Sequence, residues 1–148
     1  MSVREQIAQN IVEVLQGITA PAVVLVSRNP INTTELSIAQ YPAIFVRTSD
    51  EAKADETMGG DRFAFINYTI EGYVRADSSA TTSNNNIDTQ KNNLVEAIEE
   101  ALEQDRTRNS LALNSYVSSI TSDDASAYPL GSINITYTVQ YKYTRGTL

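Results

Sequence analysis

From the N-terminus the apolar positions fall at Val3, Ile7, Ile11, Val14, Leu15 and Ile18, the three-and-four spacing of one stripe along an amphipathic helix. Ser2 and Glu5 form a capping-box pattern ahead of it. Gly17 and then Pro21 close it, the glycine by permitting a left-handed cap and the proline by lacking an amide to donate. The pattern predicts a first helix over about 3–16. Residues 22–27 (AVVLVS) are a continuous β-branched run between Pro21 and Pro30 and predict a buried strand. After a connecting stretch over 29–40, residues 41–47 (YPAIFVR) predict a second strand, with Pro42 at its start, where a missing donor costs least. Residues 48–61 (TSDEAKADETMGGD) hold acids and adjacent glycines without an apolar period and are expected to form a mobile loop.

Over 62–76 the pattern changes to strict alternation. Ile66, Tyr68, Ile70 and Val74 share one face, and Asn67, Thr69, Glu71 and Arg75 the other, as in a long half-buried strand. Gly72 within it suggests either a bulge or a close backbone approach. Residues 77–86 (DSSATTSNNN) read as a flexible lead-in whose last asparagines can cap the next helix. That second helix is predicted over 87–104, with Leu94, Ile98, Ala101 and Leu102 on its core side and Glu96, Glu99, Glu100 and Glu103 around the rest. Glutamates near its C-terminus oppose the helix dipole, an anomaly that a basic partner surface would remove. Residues 111–121 predict a fourth strand and 123–131 a turn. The last strand alternates most cleanly, with Ile133, Ile135, Tyr137, Val139, Tyr141 and Tyr143 on one face.

The order helix, three strands, helix, two strands predicts an α/β (α+β) two-layer sandwich, a mixed sheet of about five strands with both amphipathic helices on one face. The whole chain, 1–148, reads as one domain with no internal repeat. A strand over 131–145 would extend roughly 50 Å at about 3.3 Å per residue, whereas a domain of this size is about 40 Å across. Unless it bends, such a strand, like the one over 62–76, overhangs its domain and offers edge that a neighbour can cover.

Composition narrows the chemistry. The chain has 41% hydrophobic and 20% charged residues, an ordinary globular balance, and neither cysteine nor histidine. Disulfides, Ser-His and Cys-His pairs, the usual zinc sites and the commonest general base are therefore excluded. The N-terminal MSVREQIAQN carries charge where a secretory signal needs apolar residues, and no segment is long and apolar enough for a membrane span, so synthesis in the cytosol without membrane association is expected. A net charge of −7 argues against a nucleic-acid binder.

The acidic pairs Asp50 with Glu51, Asp55 with Glu56, and Asp123 with Asp124 fall in predicted loops, where turn residues are expected rather than a catalytic dyad, and none has EF-hand spacing. Met58-Gly59-Gly60-Asp61 lacks the lysine of a phosphate loop and precedes a strand. No catalytic residue, metal or cofactor is expected. Tyr137 is expected in the core. For Tyr141 and Tyr143, near the chain end, a core stripe and a subunit contact are both open.

The N-terminal amphipathic helix, the Tyr41-Pro42-Ala43-Ile44-Phe45-Val46 strand, the acidic loop, the long alternating strand, the NNLVEAIEEALEQD helix and the alternating final strand together resemble the tail terminator proteins of long-tailed bacteriophages, the tail completion family, in order and over nearly the whole chain. That resemblance implies a structural virion protein, assembled in the bacterial host cytoplasm as a homo-oligomer of six. Its ring would end tail-tube polymerisation and present a surface to the neck or head-completion protein. Six copies at −7 carry a formal −42, through which DNA would pass without being held. Asp50, Glu51, Asp55, Glu56 and Asp61 in the acidic loop and Tyr141 and Tyr143 in the last strand are the candidate contacts with tube or neighbour. A head-completion or neck adaptor and a small-molecule binding module are the rival readings.

Overall fold

The computed structural model describes residues 2–19, 23–29, 41–54, 61–75, 87–122 and 130–144. Helix α1 (Val3–Gln16) is followed by strands β1 (Leu25–Ser27), β2 (Ala43–Ala54) and β3 (Asp61–Arg75), helix α2 (Ile87–Glu103), and strands β4 (Asn114–Ser122) and β5 (Leu130–Thr144). The strands form one mixed sheet in the order β1-β2-β3-β5-β4, with β1 parallel to β2 and every other neighbour antiparallel. The fold is α+β, with both helices on one face of the sheet as the periodicity predicts.

Helix α1 begins where the pattern places it. The Ser2 hydroxyl accepts the Glu5 amide at 3.3 Å, but the Glu5 carboxylate turns away to Arg28 and Gln9 instead of completing the capping box. Gly17 has φ −83° and ψ −2°, so the expected left-handed cap does not form, and its amide bonds back to Val14 and Leu15 in a tightened last turn. The core lies between the layers. Ile7, Ile11 and Leu15 from α1 and Leu94, Ile98 and Leu102 from α2 pack on Ile44, Val46, Ile66, Tyr68, Ile70, Ile133, Ile135, Tyr137 and Val139.

Two glycines seat α2. Gly72 and Gly131 lie in the helix-facing rows of β3 and β5, and a Cβ at Gly72 would come within 2.8 Å of Leu94 and Ile133, one at Gly131 within 2.9 Å of Ile87. Ile87 and Leu94 are two turns apart on one face of α2, so the missing side chains make a trough for that face. Of the two readings of Gly72, close approach is the correct one. The registers of β3 with β2 and with β5 run through it without a shift.

Three strands differ from their sequence reading. β1 is a short edge strand of three half-buried residues rather than a buried one, because it pairs only with Ala43 to Phe45 of β2. β4 starts at Asn114, after a turn that the 105–110 segment builds. β2 continues through residues 48–54, expected to be loop, because those residues pair with β3 down to Ala54↔Phe63. Residues 55–60, the remainder of the expected loop, lie outside the described residues, as do 30–40, 76–86 and 123–129. β3 and β5, the strands expected to overhang singly, are central and pair with each other from Asp61↔Thr144 to Arg75↔Leu130. They therefore extend together, and β4 covers β5 only from Ile133 to Gln140.

The turn after α2 is fastened by Arg108, which is fully buried. Its guanidinium donates to the carbonyls of Leu102 (2.7 Å) and Asp105 at the C-terminus of α2, reaches Asn10 of α1 at 3.2 Å, and lies 5.9 Å from the Tyr137 ring centroid in β5. A cation here satisfies carbonyls that the helix leaves open and offsets its dipole. Arg108, Asn109 and Ser110 all have positive φ (48°, 59° and 65°), a left-handed run that costs on the order of 1 kcal/mol per residue without glycine. The Asp105 carboxylate supports it by accepting the Thr107 hydroxyl (2.7 Å) and the amides of Thr107 (3.0 Å) and Asn109 (2.7 Å). Those bonds hold its carboxyl below the usual carboxylate range, Thr107 contributing most.

Arg108→Ala should lower stability by about 2–4 kcal/mol, since it strands buried carbonyls and opens a cavity beside Tyr137, and Gly72→Ala should cost about 1–3 kcal/mol by forcing Leu94 outward. Denaturant unfolding of each variant measures both.

Candidate interaction surface

A β-bulge sets up the polar cluster at one end of the sheet. Thr48 pairs with Tyr68 and Glu51 with Ile66, so Ser49 and Asp50 together stand opposite Asn67. The extra residue reverses the alternation of β2. Ile44 and Val46 face the helices before it, and Glu51 and Lys53 share that face after it, beside Ile66 and Ala64.

Glu51 is thereby carried under the first turn of α1. Its Oε2 lies 2.8 Å from Arg4 Nη2 and 3.9 Å from Lys53 Nζ, and its Oε1 accepts the Tyr141 hydroxyl at 2.5 Å. The Tyr68 hydroxyl donates to the Arg4 carbonyl at 2.8 Å, which ties the backbone of α1 to the same spot. Lys53 Nζ sits 4.6 Å from the ring centroid of Tyr143, and the Arg62 guanidinium is 6.0 Å away. The Tyr141 and Tyr143 rings are in tilted contact at 6.0 Å. Tyr143 is 8% exposed, and its hydroxyl is buried with no hydrogen-bond partner among the described residues.

The candidate contact residues are thus sorted by the fold. Tyr141 and Tyr143 are buried within the subunit, where they close the end of the core and hold Glu51 and Lys53. Glu51 is half-buried, accepts from Arg4 and Tyr141 and pairs loosely with Lys53, whereas Asp50, in the bulge, is exposed. Asp50 and Glu51 therefore share no partner. Asp61 begins β3, and Asp55, Glu56 and the Asp123–Asp124 pair lie outside the described residues. No three acids come together as a metal site among the described residues. Nor is any described helix long and apolar enough to cross a membrane.

The helix layer presents a different surface. Glu96, Glu99, Glu100 and Glu103 run along α2 beside Asn92 and Val95. Glu13 and Glu100 flank an open groove of about 510 Å³ between α1 and α2, also lined by Gly17, Ile18, Ala97 and Gln104. None of these glutamates forms an ion pair among the described residues. The other face of the sheet carries no helix among the described residues. Its centre is uncharged, with the Thr138 hydroxyl between Asn67 Oδ1 (2.8 Å) and Ser118 Oγ (3.1 Å). At its margin Arg47 approaches Glu71 at 4.0 Å, and Glu71 accepts the Tyr73 hydroxyl at 2.8 Å.

Large exposed apolar side chains stand at the sheet's two edges. Val24 (56% exposed) leads into β1, Leu113 (50%) leads into β4, and Tyr116 (46%) and Ile120 (42%) belong to β4. Sequence reasoning passed over these residues because an isolated apolar side chain in a strand announces burial, and only the strand order shows which strands are edges. Arg4 and Arg108 were missed for the converse reason, since a single cation in a sequence reads as solvated.

No protein-family model matches the chain. The search of curated proteins finds no match either. Among solved structures, a chain from "Virion of native gene transfer agent (GTA) particle" is similar over 96% of this chain and 92% of its own, with 11% sequence identity and a TM-score of 0.46.

Burial raises the hydroxyl pKa of several tyrosines. Tyr141 is pushed up to about 12 by burial and then by its bond to Glu51, Tyr73 to about 12 by burial and then Glu71, and Tyr68 and Tyr137 are raised mainly by burial. The folded state holds these protons more tightly than the unfolded chain, whose tyrosines ionise near pH 10. Their contribution to stability is complete below about pH 10 and is lost as pH rises through about 12. Melting temperature should therefore fall over that interval, together with the rise of tyrosinate absorbance. A melting temperature that holds steady while tyrosinate forms would contradict the placement of these rings.

Proposed function

We propose that this chain is a non-enzymatic structural protein of a phage-like virion, and that its role is to close the end of a tail tube as a ring of identical subunits. The observation that carries the reading is the match of element order and of two segments with what the resemblance implies, although the first half of the expected acidic loop is strand. Ala43 to Val46 of the Tyr-Pro-Ala-Ile-Phe-Val segment lies in β2, the NNLVEAIEEALEQD segment forms most of α2, and the helix-strand-strand-strand-helix-strand-strand order is complete. The surface supports the reading. It offers an acidic helix layer and uncharged edge strands with exposed apolar side chains, where a small-molecule module would need an enclosed pocket with a few converging polar groups.

A stack of identical rings carries no length limit in its own interfaces, so a different subunit must bind the growing end and offer nothing to the next ring. Removing this chain should yield tails of irregular and excessive length that fail to join heads. A neck or head-completion adaptor would instead leave tails of normal length beside unjoined heads. Tail-length distributions by negative-stain microscopy separate the two, and normal lengths in the deletion reject the capping role. The mass of the subunit within assembled tails should correspond to a closed ring, and a single copy per tail would exclude one.

A further inference from the structure

We infer that the β4 edge of one copy pairs with the β1 edge of the next, joining the sheets of successive subunits head to tail. The inference rests on the proposed ring and names the surfaces that would build it.

Both edges lack the charged side chains that most often guard an exposed strand. A strand at the margin of a sheet leaves a row of amides and carbonyls open to pairing, and soluble proteins blunt such edges with charged side chains, prolines, bulges or very short strands. In a chain with 20% charged residues, Val14 to Ser27, which includes β1, and Asn109 to Ser122, which includes β4, carry no charged side chain at all. Their remaining guards are the shortness of β1 and a bulge in β4. Val117 pairs with Tyr137 and Ser119 with Thr136, so Ser118 is the extra residue. The shift puts Tyr116, opposite Thr138, on the face away from the helices and Ile120, opposite Ile135, on the helix face. The edge therefore presents an apolar side chain on each side of the sheet, and Leu113 adds a third at its start. Val24 is exposed at the other edge, although its own amide already donates to the Pro42 carbonyl at 3.0 Å.

Strand direction makes the union possible. β1 and β2 run one way, β3 the other, β5 with β1, and β4 against it. A rotation about an axis along the strands brings β4 of one copy beside β1 of the next in antiparallel sense and keeps every helix layer on the same side. A second copy is the occupant this geometry favours, because the two edges are at opposite ends of one sheet and each is uncharged with exposed apolar side chains. A two-fold β4–β4 pair would cover one edge and leave Val24 in water.

Two full-length variants test the inference, Ile120→Lys to block the β4 edge and Val24→Lys to block the β1 edge. Each should keep the wild-type melting curve, since both side chains are exposed, and Tyr116→Lys serves as a second β4 variant. Sedimentation of wild type at millimolar concentration should show association beyond a dimer. Each variant alone should remain monomeric, with association weakened about a hundredfold or more by an unpaired lysine in the junction. The equal mixture should form a one-to-one dimer and stop there, because only one junction remains intact. A variant that dimerises by itself, variants that assemble as wild type does, or wild type that stays monomeric overturns the edge pairing. None of these outcomes bears on tail length, so failure of the junction and failure of the capping role are told apart.

Discussion

The two layers of this protein are joined by a buried cation. Arg108 closes the C-terminus of α2, touches Asn10 of α1 and lies against Tyr137 of β5, so one side chain fixes where the second helix ends and how both helices meet the sheet. The Asp105 carboxylate feels the charge, but the hydrogen bonds of the guanidinium go elsewhere. The guanidinium is held by carbonyl groups, an amide oxygen and an aromatic face, which together replace part of the water it gives up. The left-handed run through Ser110 follows from the same demand, because the chain must turn sharply to bring Arg108 beneath the helix it has just left. The Tyr137 hydroxyl donates to Ser115 at 2.5 Å and Ser115 bonds the Arg106 carbonyl at 2.7 Å, so the anchor extends into β4.

On the β2 side of the sheet a different device does similar work. The bulge at Ser49 and Asp50 turns Glu51 toward α1, where Arg4 and Tyr141 meet it. Without that extra residue, Asp50 rather than Glu51 would stand opposite Ile66, and Arg4 would lose its acid. The ion pair is partly exposed, so its direct contribution is modest. Its larger effect is positional, since with the bond from Tyr68 it fixes the first turn of α1 over the long strands where no β4 residue supports them.

How much of this was legible in the sequence depends on whether a feature is carried by period or by partner. α1 spans 3–16, where its stripe places it, and the alternating faces of β3 and β5 are buried as their period predicts, since hydrophobic spacing reports which side of an element meets the core. The continuation of β2 was not legible, because the bulge breaks its period and puts Glu51 and Lys53 on the face that Ile44 and Val46 occupy earlier. Tyr141 and Tyr143 illustrate the limit from the opposite side. Their position near the chain end left core and subunit contact equally open, and only the arrival of α1 over that end of β5 shows that both rings are inside. For β1 and β4 the local residues predict strands but carry no information on strand order, which is set by tertiary pairing.

The distribution of charge then takes on a physical meaning that the net value lacks. The acids of the helix layer keep a chain at −7 soluble and hold like surfaces apart, while the strands at the sheet's margins are left uncharged. Repulsion between helix layers falls off within about 8–10 Å at moderate salt, but strand pairing acts only at contact. Two copies that meet by their acidic layers are pushed away, and two that meet edge to edge are not. In the proposed edge pairing, orientation would be selected before any hydrogen bond forms, by where charge is absent rather than by where it attracts.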